Sequence, residues 1–340
     1  MEMRSVGIIG TGLYVPEEIR TNEWFEQFNL LSLNKIFDHA GVMERRISAK
    51  GEMSSDMEAK ALLSAVEHAG IDVKDIDLIL DGPNIHDQAS PGNAALLQQK
   101  SGAVNAVALN VDAACVSLIS QLEIAWALIA MGKYKTVACV VATMQTKTAD
   151  YTDKSCMLLG DGAAAVIVQE VSRGKGILST HLETDGRYFK AVGIDLRLPR
   201  ALMRKYEGNS YLETPSERLY YFFDHGELGL KEITRSGPVR TPEVALKALT
   251  KAGYTEKDID FLITHQPSKI LTEAWRKALQ VPVEKTYDTI EKYGNMGPAS
   301  IGSCLHEAVV SGKIKDGDLI LLAGPGAGFH FNAAVIRWGK

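Results

Sequence analysis

The sequence predicts an α/β protein made of two similar halves, on the strength of three observations. Helical and strand patterns alternate along all 340 residues, the strands are too apolar to be half exposed, and one helix–strand unit occurs twice. The segments that predict buried strands are "VACVVAT", "AAAVIVQE", "LILLAG" and "AAVIRW". We expect one half to span 1–172 and the other 173–340, packed together about a pseudo-twofold axis.

The repeated unit is clearest in two segments of equal length, 61–80 and 244–263. Each predicts a helix with apolar residues three and four apart, an Ala-Gly end, a charged turn and a strand after Asp-Ile-Asp. Their glycines, Gly70 and Gly253, are 183 residues apart, and the aspartates keep the same offset. This agreement predicts an internal duplication.

A second repeat is less regular. The segments 117–143 and 300–324 both predict a buried helix, a glycine exit and an apolar strand. Gly132 and Gly312 are 180 residues apart, so the second copy is three residues shorter. Between the repeats, residues 186–229 have weak periodicity and many charges, and are interpreted equally as the mouth of an active site or as a surface insertion.

Composition and charge exclude several classes of protein. The formal net charge of −5 is spread over the chain without a basic block, which argues against nucleic acid or an anionic membrane as partner. No segment reaches the roughly 18 apolar residues of a membrane helix, and the start lacks a secretory signal, so we expect a cytoplasmic protein. The cysteines occur singly, without CxxC spacing, so we expect no metal site and no disulfide.

One cysteine, Cys115 in "VDAACVSLIS", lies where an apolar strand meets an apolar helix. A helix N-terminus favours the thiolate and is expected to lower the pKa of a cysteine below about 8.5. Cys115 is therefore a candidate nucleophile. Taken alone, the same stretch fits a small residue that only packs at a crowded junction.

The second half contains two polar groups that such a thiol needs. "FLITHQPSK" places His265 directly after an apolar strand, and "YGNMGPASIGS" places Asn295 in a glycine-rich loop before a helix. By the repeat offset, Cys115 corresponds to Pro298, so the pseudo-twofold axis brings both helix starts towards the centre. We expect Cys115, His265 and Asn295 to converge there.

Two glycine clusters complete the pattern. "LLGDGAAAVIV" (158–168) predicts a tight turn into a core strand, with a purely architectural role. "AGPGAGFHFNAAV" (323–335) is a candidate source of a backbone N–H that stabilises an oxyanion together with the N–H of Cys115.

In combination, these motifs resemble the β-ketoacyl-acyl carrier protein synthase III group of the thiolase superfamily. The resemblance extends from "GIIGTGLYVPEEIRTN" through "AACVSLISQLEIAWALIAMGKY", "LLGDGAAAVIV", "THQPSKIL" and "YGNMGPASIGSCLHEAV" to "GPGAGFHFNAAVIRW", in family order. It implies a five-layer α-β-α-β-α fold from two duplicated halves, a homodimer, and no tightly bound cofactor. The implied substrates are acyl-CoA or phosphopantetheine thioesters, with a malonyl thioester and possibly an acyl carrier protein.

The resemblance also implies a role for each candidate residue. Cys115 accepts an acyl group from a thioester, while His265 and Asn295 help to decarboxylate a malonyl thioester and stabilise its enolate. Attack of the enolate on acyl-Cys115 gives a β-ketoacyl product. The N–H groups of Cys115 and Ala327 are the implied oxyanion donors, although the family usually has glycine at the position of Ala327. Four further residues are predicted to contact substrate: Lys154, Gln266, Ser268 and Phe329.

The chain departs from the fatty-acid-starting members of the family where substrate enters. In "LNKIFDHAGVMERR", Lys35 replaces a tryptophan and His39 an arginine, Lys154 replaces a further arginine, and Ile270 stands where a carrier-docking arginine is often found. Lysine lacks the flat fork of arginine, so the grip on a nucleotide is expected to differ. These changes predict a specialised relative with a role in secondary metabolism.

Two alternatives stay open at this level. The acyl group on Cys115 could pass to a hydroxyl, an amine or another acceptor, with His265 as general base. The chain could instead be a silent partner of an active paralogue. For chain length, the segment 86–93 is the candidate, and its small Ala89 and Ser90 predict more room than an acetyl group requires.

Overall fold

The computed structural model describes residues 4–28, 33–151, 153–195 and 220–340. Its strands are β1 (Val6–Tyr14), β2 (Glu18–Thr21), β3 (Glu44–Ile47), β4 (Leu78–Asp81), β5 (Val107–Asn110), β6 (Val137–Thr143), β7 (Gly162–Glu170), β8 (Gly176–Thr184), β9 (Val192–Asp195), β10 (Tyr220–Phe223), β11 (Phe261–Thr264), β12 (Leu319–Gly326) and β13 (His330–Arg337). Its α-helices are α1 (Leu33–Ala40), α2 (Ser54–Ala69), α3 (Ala94–Ser101), α4 (Ser117–Ala130), α5 (Glu232–Lys251), α6 (Lys269–Ala278), α7 (Ile290–Tyr293) and α8 (Ala299–Val310).

Two sheets repeat the same strand order. The first sheet runs β1-β7-β6-β4-β5, and the second runs β8-β13-β12-β11. The corresponding pairs β4 with β6 and β11 with β12 are parallel, whereas β7 and β13 run antiparallel to their neighbours. The four apolar segments of the sequence form β6, β7, β12 and β13, all buried as predicted.

Helices fill the space between and outside the two sheets. The apolar α4 and α8 lie between the sheets, where Leu118, Ile119, Ile301 and Leu305 are fully buried in one core. The outer face of the first sheet is covered by α2, and that of the second by α5. The predicted five-layer α-β-α-β-α fold of two duplicated halves is therefore confirmed.

Glycines end the predicted helices and allow the central layer to pack closely. Gly70 and Gly253 have φ angles of 73° and 80°, the left-handed conformation that glycine adopts at a helix end. At Gly302 in α8, a Cβ atom would lie 2.5 Å from the Cβ of Ala164 on β7. A side chain at this position would push the helix off the sheet.

The region between the repeats contributes a small antiparallel ribbon, β9 with β10. Residues 196–219 of that region lie outside the described residues. Among the residues that are described, no helix combines the length and apolar character needed to span a membrane.

Candidate active site

Cys115 lies on a single 3-10 turn between β5 and α4. The residue before it, Ala114, has a φ of 51°, which is unusual for any residue with a Cβ. The Oδ1 atom of Asp112 accepts hydrogen bonds from the N–H of Ala114 (2.8 Å) and from the hydroxyl of Ser117 (3.2 Å). The Ser117 oxygen in turn accepts from the N–H of Ala113 at 2.8 Å. These bonds hold a strained turn that presents the thiol at the start of α4.

The end of β12 lies against this turn. The N–H of Ala327 and the N–H of Cys115 itself both act on the Cys115 sulfur as hydrogen-bond donors. A Cβ at Gly326 would lie 2.8 Å from the oxygen of Ala113 and 3.3 Å from the nitrogen of Cys115, so a side chain there would displace the turn. The structure thus brings together the two N–H groups that were predicted as oxyanion donors.

Burial controls the pKa of the Cys115 thiol. Loss of solvent raises that pKa to about 11, although the N–H of Ala327 acts in the opposite direction. The carboxylate of Asp112 raises it further. The sequence-based expectation of a pKa below about 8.5 is therefore wrong for the free protein, because desolvation outweighs the hydrogen bonds from the N–H groups of Ala327 and Cys115. The same burial raises the pKa of Cys156 and Cys304 to about 12.

His265 follows β11 and lies beside the cysteine turn. The main-chain N–H of His265 donates to the main-chain oxygen of Ala323 on β12 at 3.1 Å. A Cβ at Gly324 would lie 2.7 Å from the Cβ of His265 and 3.4 Å from the Cγ1 of Val116, so β12 packs closely against both the histidine and the turn at this glycine.

The His265 ring is neutral and acts best as a donor. Burial lowers its pKa to about 3, so the ring carries no charge at physiological pH. Its Nδ1 atom is buried and has no hydrogen-bond partner among the described residues. Because a buried N–H without a partner is more costly than a buried acceptor, the proton is assigned to Nε2.

Asn295 is held in its loop by main-chain hydrogen bonds. Its N–H donates to the oxygen of Leu158 at 2.7 Å, and its own main-chain oxygen accepts from the N–H of Gly160 at 3.0 Å. The side-chain Oδ1 accepts from the N–H of Gly297 at 2.9 Å, which leaves the NH₂ group of the amide to donate elsewhere. His265 and Asn295 therefore both offer neutral N–H donors.

A cavity of about 320 Å³ includes Leu158, a hydrogen-bond partner of Asn295, in its lining. It is lined by Lys35, Ile36, His39, Ala40, Leu158, Ser268 and Ile270. Leu158 connects it to the candidate site, since its main-chain oxygen accepts the N–H of Asn295. Of the predicted substrate contacts, Ser268 lines this cavity, and Lys154 is exposed.

The other two predicted contacts lie elsewhere. Gln266 is fully buried, and its amide donates to the oxygen of Thr264 (3.1 Å) and to Asp288 (2.9 Å). Phe329 is 5% exposed and stacks on Tyr188 with ring centroids 5.3 Å apart. Gln266 is thus bonded to protein groups and Phe329 packs in the core of the second half, and their contact with substrate stays a prediction.

Two features near the site did not emerge from the sequence. The buried hydroxyl of Tyr221 on β10 lies next to Ser155 and within electrostatic reach of the Cys115 and Cys156 thiols, which raise its pKa together with burial. This contact favours the interpretation of 186–229 as part of the site's mouth. The second feature is Gln145, which contacts the loop of Asn295. Its position just after an apolar strand, like that of His265, is the sequence pattern that could have indicated it.

Comparison with known proteins agrees with this geometry. The family model described as 3-oxoacyl-[acyl-carrier-protein (ACP)] synthase III matches residues 109–186, and the model of its C-terminal part matches residues 249–338. The β-ketoacyl-[acyl-carrier-protein] synthase III of Geobacillus kaustophilus is 38% identical, over 98% of this chain and 99% of the relative.

Solved structures show the same relationship. The 3-oxoacyl-[acyl-carrier-protein] synthase III of Aquifex aeolicus superposes with a TM-score of 0.86 at 30% identity, covering 98% of this chain and all of the other. The priming β-ketosynthase of the R1128 polyketide pathway has a TM-score of 0.87 at 26% identity, covering 99% of this chain and 97% of the other. The chain therefore belongs to the 3-oxoacyl-[acyl-carrier-protein] synthase III family and is a condensing acyltransferase.

Proposed function

We propose that Cys115 carries the acyl group in a decarboxylative Claisen condensation, and that His265 and Asn295 stabilise the enolate. The observation that carries the proposal is the arrangement of donors. Two main-chain N–H groups act on the Cys115 sulfur, and two neutral side-chain donors come from the other half of the protein. Donors fixed in this way stabilise developing negative charge without having to reorganise.

The first step is acyl transfer to the thiol. The Cys115 sulfur attacks the carbonyl carbon of a thioester, and its proton passes to the departing thiol as the old C–S bond breaks. The oxygen of the tetrahedral intermediate accepts hydrogen bonds from the N–H groups of Cys115 and Ala327. A thiol with a pKa of about 11 loses its proton only as it reacts, which protects the free enzyme from indiscriminate alkylation.

The second step is condensation. The bond between the malonyl α-carbon and its carboxylate breaks, CO₂ leaves, and the electron pair remains as an enolate. The enolate oxygen accepts hydrogen bonds from the Nε2–H of His265 and the amide of Asn295. The α-carbon then attacks the acyl carbonyl, the C–S bond to Cys115 breaks, and the thiolate takes up a proton.

The pKa of His265 favours condensation over plain transfer to a hydroxyl or amine. A general base works best when its pKa lies near the operating pH, and a pKa of about 3 lies far below it. The same low pKa suits a neutral hydrogen-bond donor. His265 is therefore better matched to holding an enolate than to deprotonating an alcohol.

We further propose that the thioester arm of acyl-CoA or of an acyl carrier protein enters through the cavity of about 320 Å³. The apolar Ile36 and Ile270 suit the arm, and Lys35 and His39 replace the usual aromatic and guanidinium groups at the entrance. Lys154 offers an exposed charge to a phosphate. This changed entrance fits a specialised acyl donor, and a role in secondary metabolism is part of the proposal.

A homodimer is the proposed assembly. β5 is the edge strand of the first sheet, and Val107 and Leu109 on it are 47% and 49% exposed. Among the described residues no further strand pairs with this apolar edge, which makes it a natural place for a second copy to add its own strand. Gly92 contacts Asn110 at the end of β5, so the segment 86–93 with Ala89 and Ser90 lies beside the same edge.

The cytoplasmic location stays a prediction. The boundary between the two halves near residue 173 is likewise a proposal. It is supported by the division of the strands, since β7 ends at Glu170 in the first sheet and β8 begins at Gly176 in the second.

Separate assays of the two half-reactions test the proposal. Cys115→Ala should gain no acyl mass from acyl-CoA, yet should still convert a malonyl thioester to an acetyl thioester and CO₂. His265→Ala and Asn295→Ala should gain the acyl mass and lose decarboxylation by about 10²-fold or more. Decarboxylation at the wild-type rate by both variants would refute the assignment of the enolate site.

A further inference from the structure

Gln145 connects the end of β6 to the loop of Asn295. Its side chain is 5% exposed, and its Nε2 atom donates to the main-chain oxygen of Asn295 at 2.7 Å. Its Oε1 atom accepts from the Nδ2 of Asn84 at 3.3 Å, and the same Nδ2 donates to the hydroxyl of Thr143 at 2.8 Å. The Oδ1 of Asn84 accepts from the N–H of Met144 at 3.2 Å. Every polar atom of the two amides therefore has a partner.

The direction of each amide follows from a single main-chain group. The N–H of Met144 can only donate, so it fixes the oxygen of Asn84 towards itself and the NH₂ towards Gln145. That NH₂ can only donate as well, so the oxygen of Gln145 faces it and the Nε2 faces Asn295. The chain of hydrogen bonds thus has one orientation throughout.

The hydrogen bond from Gln145 adds to the main-chain bonds that the loop of Asn295 makes with Leu158 and Gly160. Gly294 and Gly297, close to Asn295 on either side, have φ angles of 65° and 45°. Glycine adopts these angles easily, but it adopts many other conformations as easily, so the glycines alone do not fix the loop. At Gly297 a Cβ would lie 3.4 Å from the Thr143 hydroxyl and 3.5 Å from the Asn84 amide, so the loop lies directly on these residues.

We infer that Gln145 is a positioning residue for Asn295, and that Asn84 sets the orientation of the Gln145 amide. This inference rests on the proposed role of Asn295 at the enolate. The two residues act on decarboxylation and leave acyl transfer alone, because the turn of Cys115 is held by a separate set of bonds from Asp112 and Ser117.

Three substitutions separate this role from a general loss of packing. Gln145→Met keeps the length of the side chain and removes both hydrogen bonds. Gln145→Glu turns a carboxylate oxygen towards the main-chain oxygen of Asn295. Asn84→Asp does not touch Asn295, but its carboxylate draws the NH₂ of Gln145 towards itself and turns the Gln145 oxygen towards Asn295.

The matched control, Gln169, lies on β7 beside the other end of β6. Gln169 donates to the hydroxyl of Thr136, immediately before β6, at 2.8 Å. Gln169→Met removes a comparable hydrogen bond far from the loop of Asn295, so both half-reactions should stay within about twofold of wild type.

The experiment measures malonyl decarboxylation and single-turnover acylation of each full-length variant, together with the unfolding midpoint. We expect Gln145→Met, Gln145→Glu and Asn84→Asp to lower the kcat of decarboxylation about tenfold or more at a similar KM, since small errors of position cost about 10²-fold. Acylation should stay within about twofold.

Two results would overturn the inference alone. One is unchanged decarboxylation in Gln145→Met while Asn295→Ala is defective, which would leave the proposed function intact. The other is an equal loss of both half-reactions. If Asn295→Ala itself decarboxylates normally, the proposed role of Asn295 is wrong, and the inference falls with it.

Discussion

The main-chain N–H of Ala327 donates to the sulfur of Cys115, although the two residues come from opposite halves of the chain. The contact exists because β12 ends in Gly326, whose lack of a side chain lets the strand lie against the turn before α4. It is also the strongest single hydrogen bond that favours the thiolate, against the larger effect of burial. The site therefore depends on how closely the two halves pack.

Ala327→Pro removes this N–H and should lower the rate of Cys115 acylation about 10²–10³-fold, the usual cost of losing one oxyanion donor. The rate would be measured by quenching the reaction at successive times and determining the acylated fraction from the intact protein mass. Ala327→Ser keeps the N–H and should stay within about threefold of wild type. Equal rates for the proline and serine variants would mean that this amide does not stabilise the intermediate.

Gly326→Ala should slow acylation about tenfold or more, because its Cβ would lie 2.8 Å from the oxygen of Ala113 and would displace the turn of Cys115. The control is Gly186→Ala, where a Cβ would meet nothing within 4 Å. The control should leave acylation unchanged. An equally active Gly326→Ala enzyme would show that the turn tolerates displacement.

The alkylation of Cys115 by iodoacetamide should rise about tenfold per pH unit from pH 7 to 10, because only the thiolate reacts and its pKa is about 11. No step is expected near pH 6.5, since the pKa of His265 is about 3 and its charge does not change there. Mass spectrometry of wild type and Cys115→Ser would follow the site. A rate that levels off near pH 7 would contradict the raised thiol pKa.

Asp81 should make the protein less stable as pH rises. Burial raises its folded-state pKa to about 8, and its Oδ1 atom has no hydrogen-bond partner among the described residues. A folded-state pKa above the unfolded value means that the folded state holds the extra proton. The stabilisation is therefore complete below about pH 4 and is lost as pH rises through 8. The buried Glu58 adds an effect in the same direction.

Asp81→Asn mimics the protonated side chain, so its unfolding midpoint in guanidinium should match wild type near pH 4 and exceed it at pH 9. Asp258→Asn is the opposite case, because that exposed carboxylate accepts from Thr255 and its pKa is lowered. Asp258→Asn should destabilise the protein at neutral pH. An unfolding midpoint of Asp81→Asn that equals that of wild type at both pH values would contradict the raised pKa of this buried carboxyl.

The sequence was informative where chemistry follows a regular pattern. Cys115 and His265 each follow the carboxyl end of a parallel strand, β5 in the first sheet and β11 in the second, and the pseudo-twofold repeat predicts that these two ends face each other. The repeat predicted two similar α/β halves, and the structure has two sheets with corresponding strand orders. Local pattern and global fold agree at these positions.

Other features depend on packing between distant segments and could not be predicted. The contact of Gln145 with Asn295 spans 150 residues. Gln266 lies next to His265 in sequence, yet it turns into the protein, because adjacent side chains point in opposite directions at the end of a strand. The prediction of a lowered thiol pKa for Cys115 was wrong for the same reason, since the extent of burial is set by the whole fold.

The most direct test of the central claim is the intact mass of wild type and Cys115→Ala after incubation with acyl-CoAs from acetyl to dodecanoyl, followed by addition of a malonyl thioester. We expect wild type to gain one acyl group and Cys115→Ala to gain none. The malonyl thioester should then remove the acyl group and release a β-ketoacyl product with CO₂. An adduct that forms equally on Cys115→Ala, or that stays on wild type when malonyl thioester is added, would contradict condensation on Cys115.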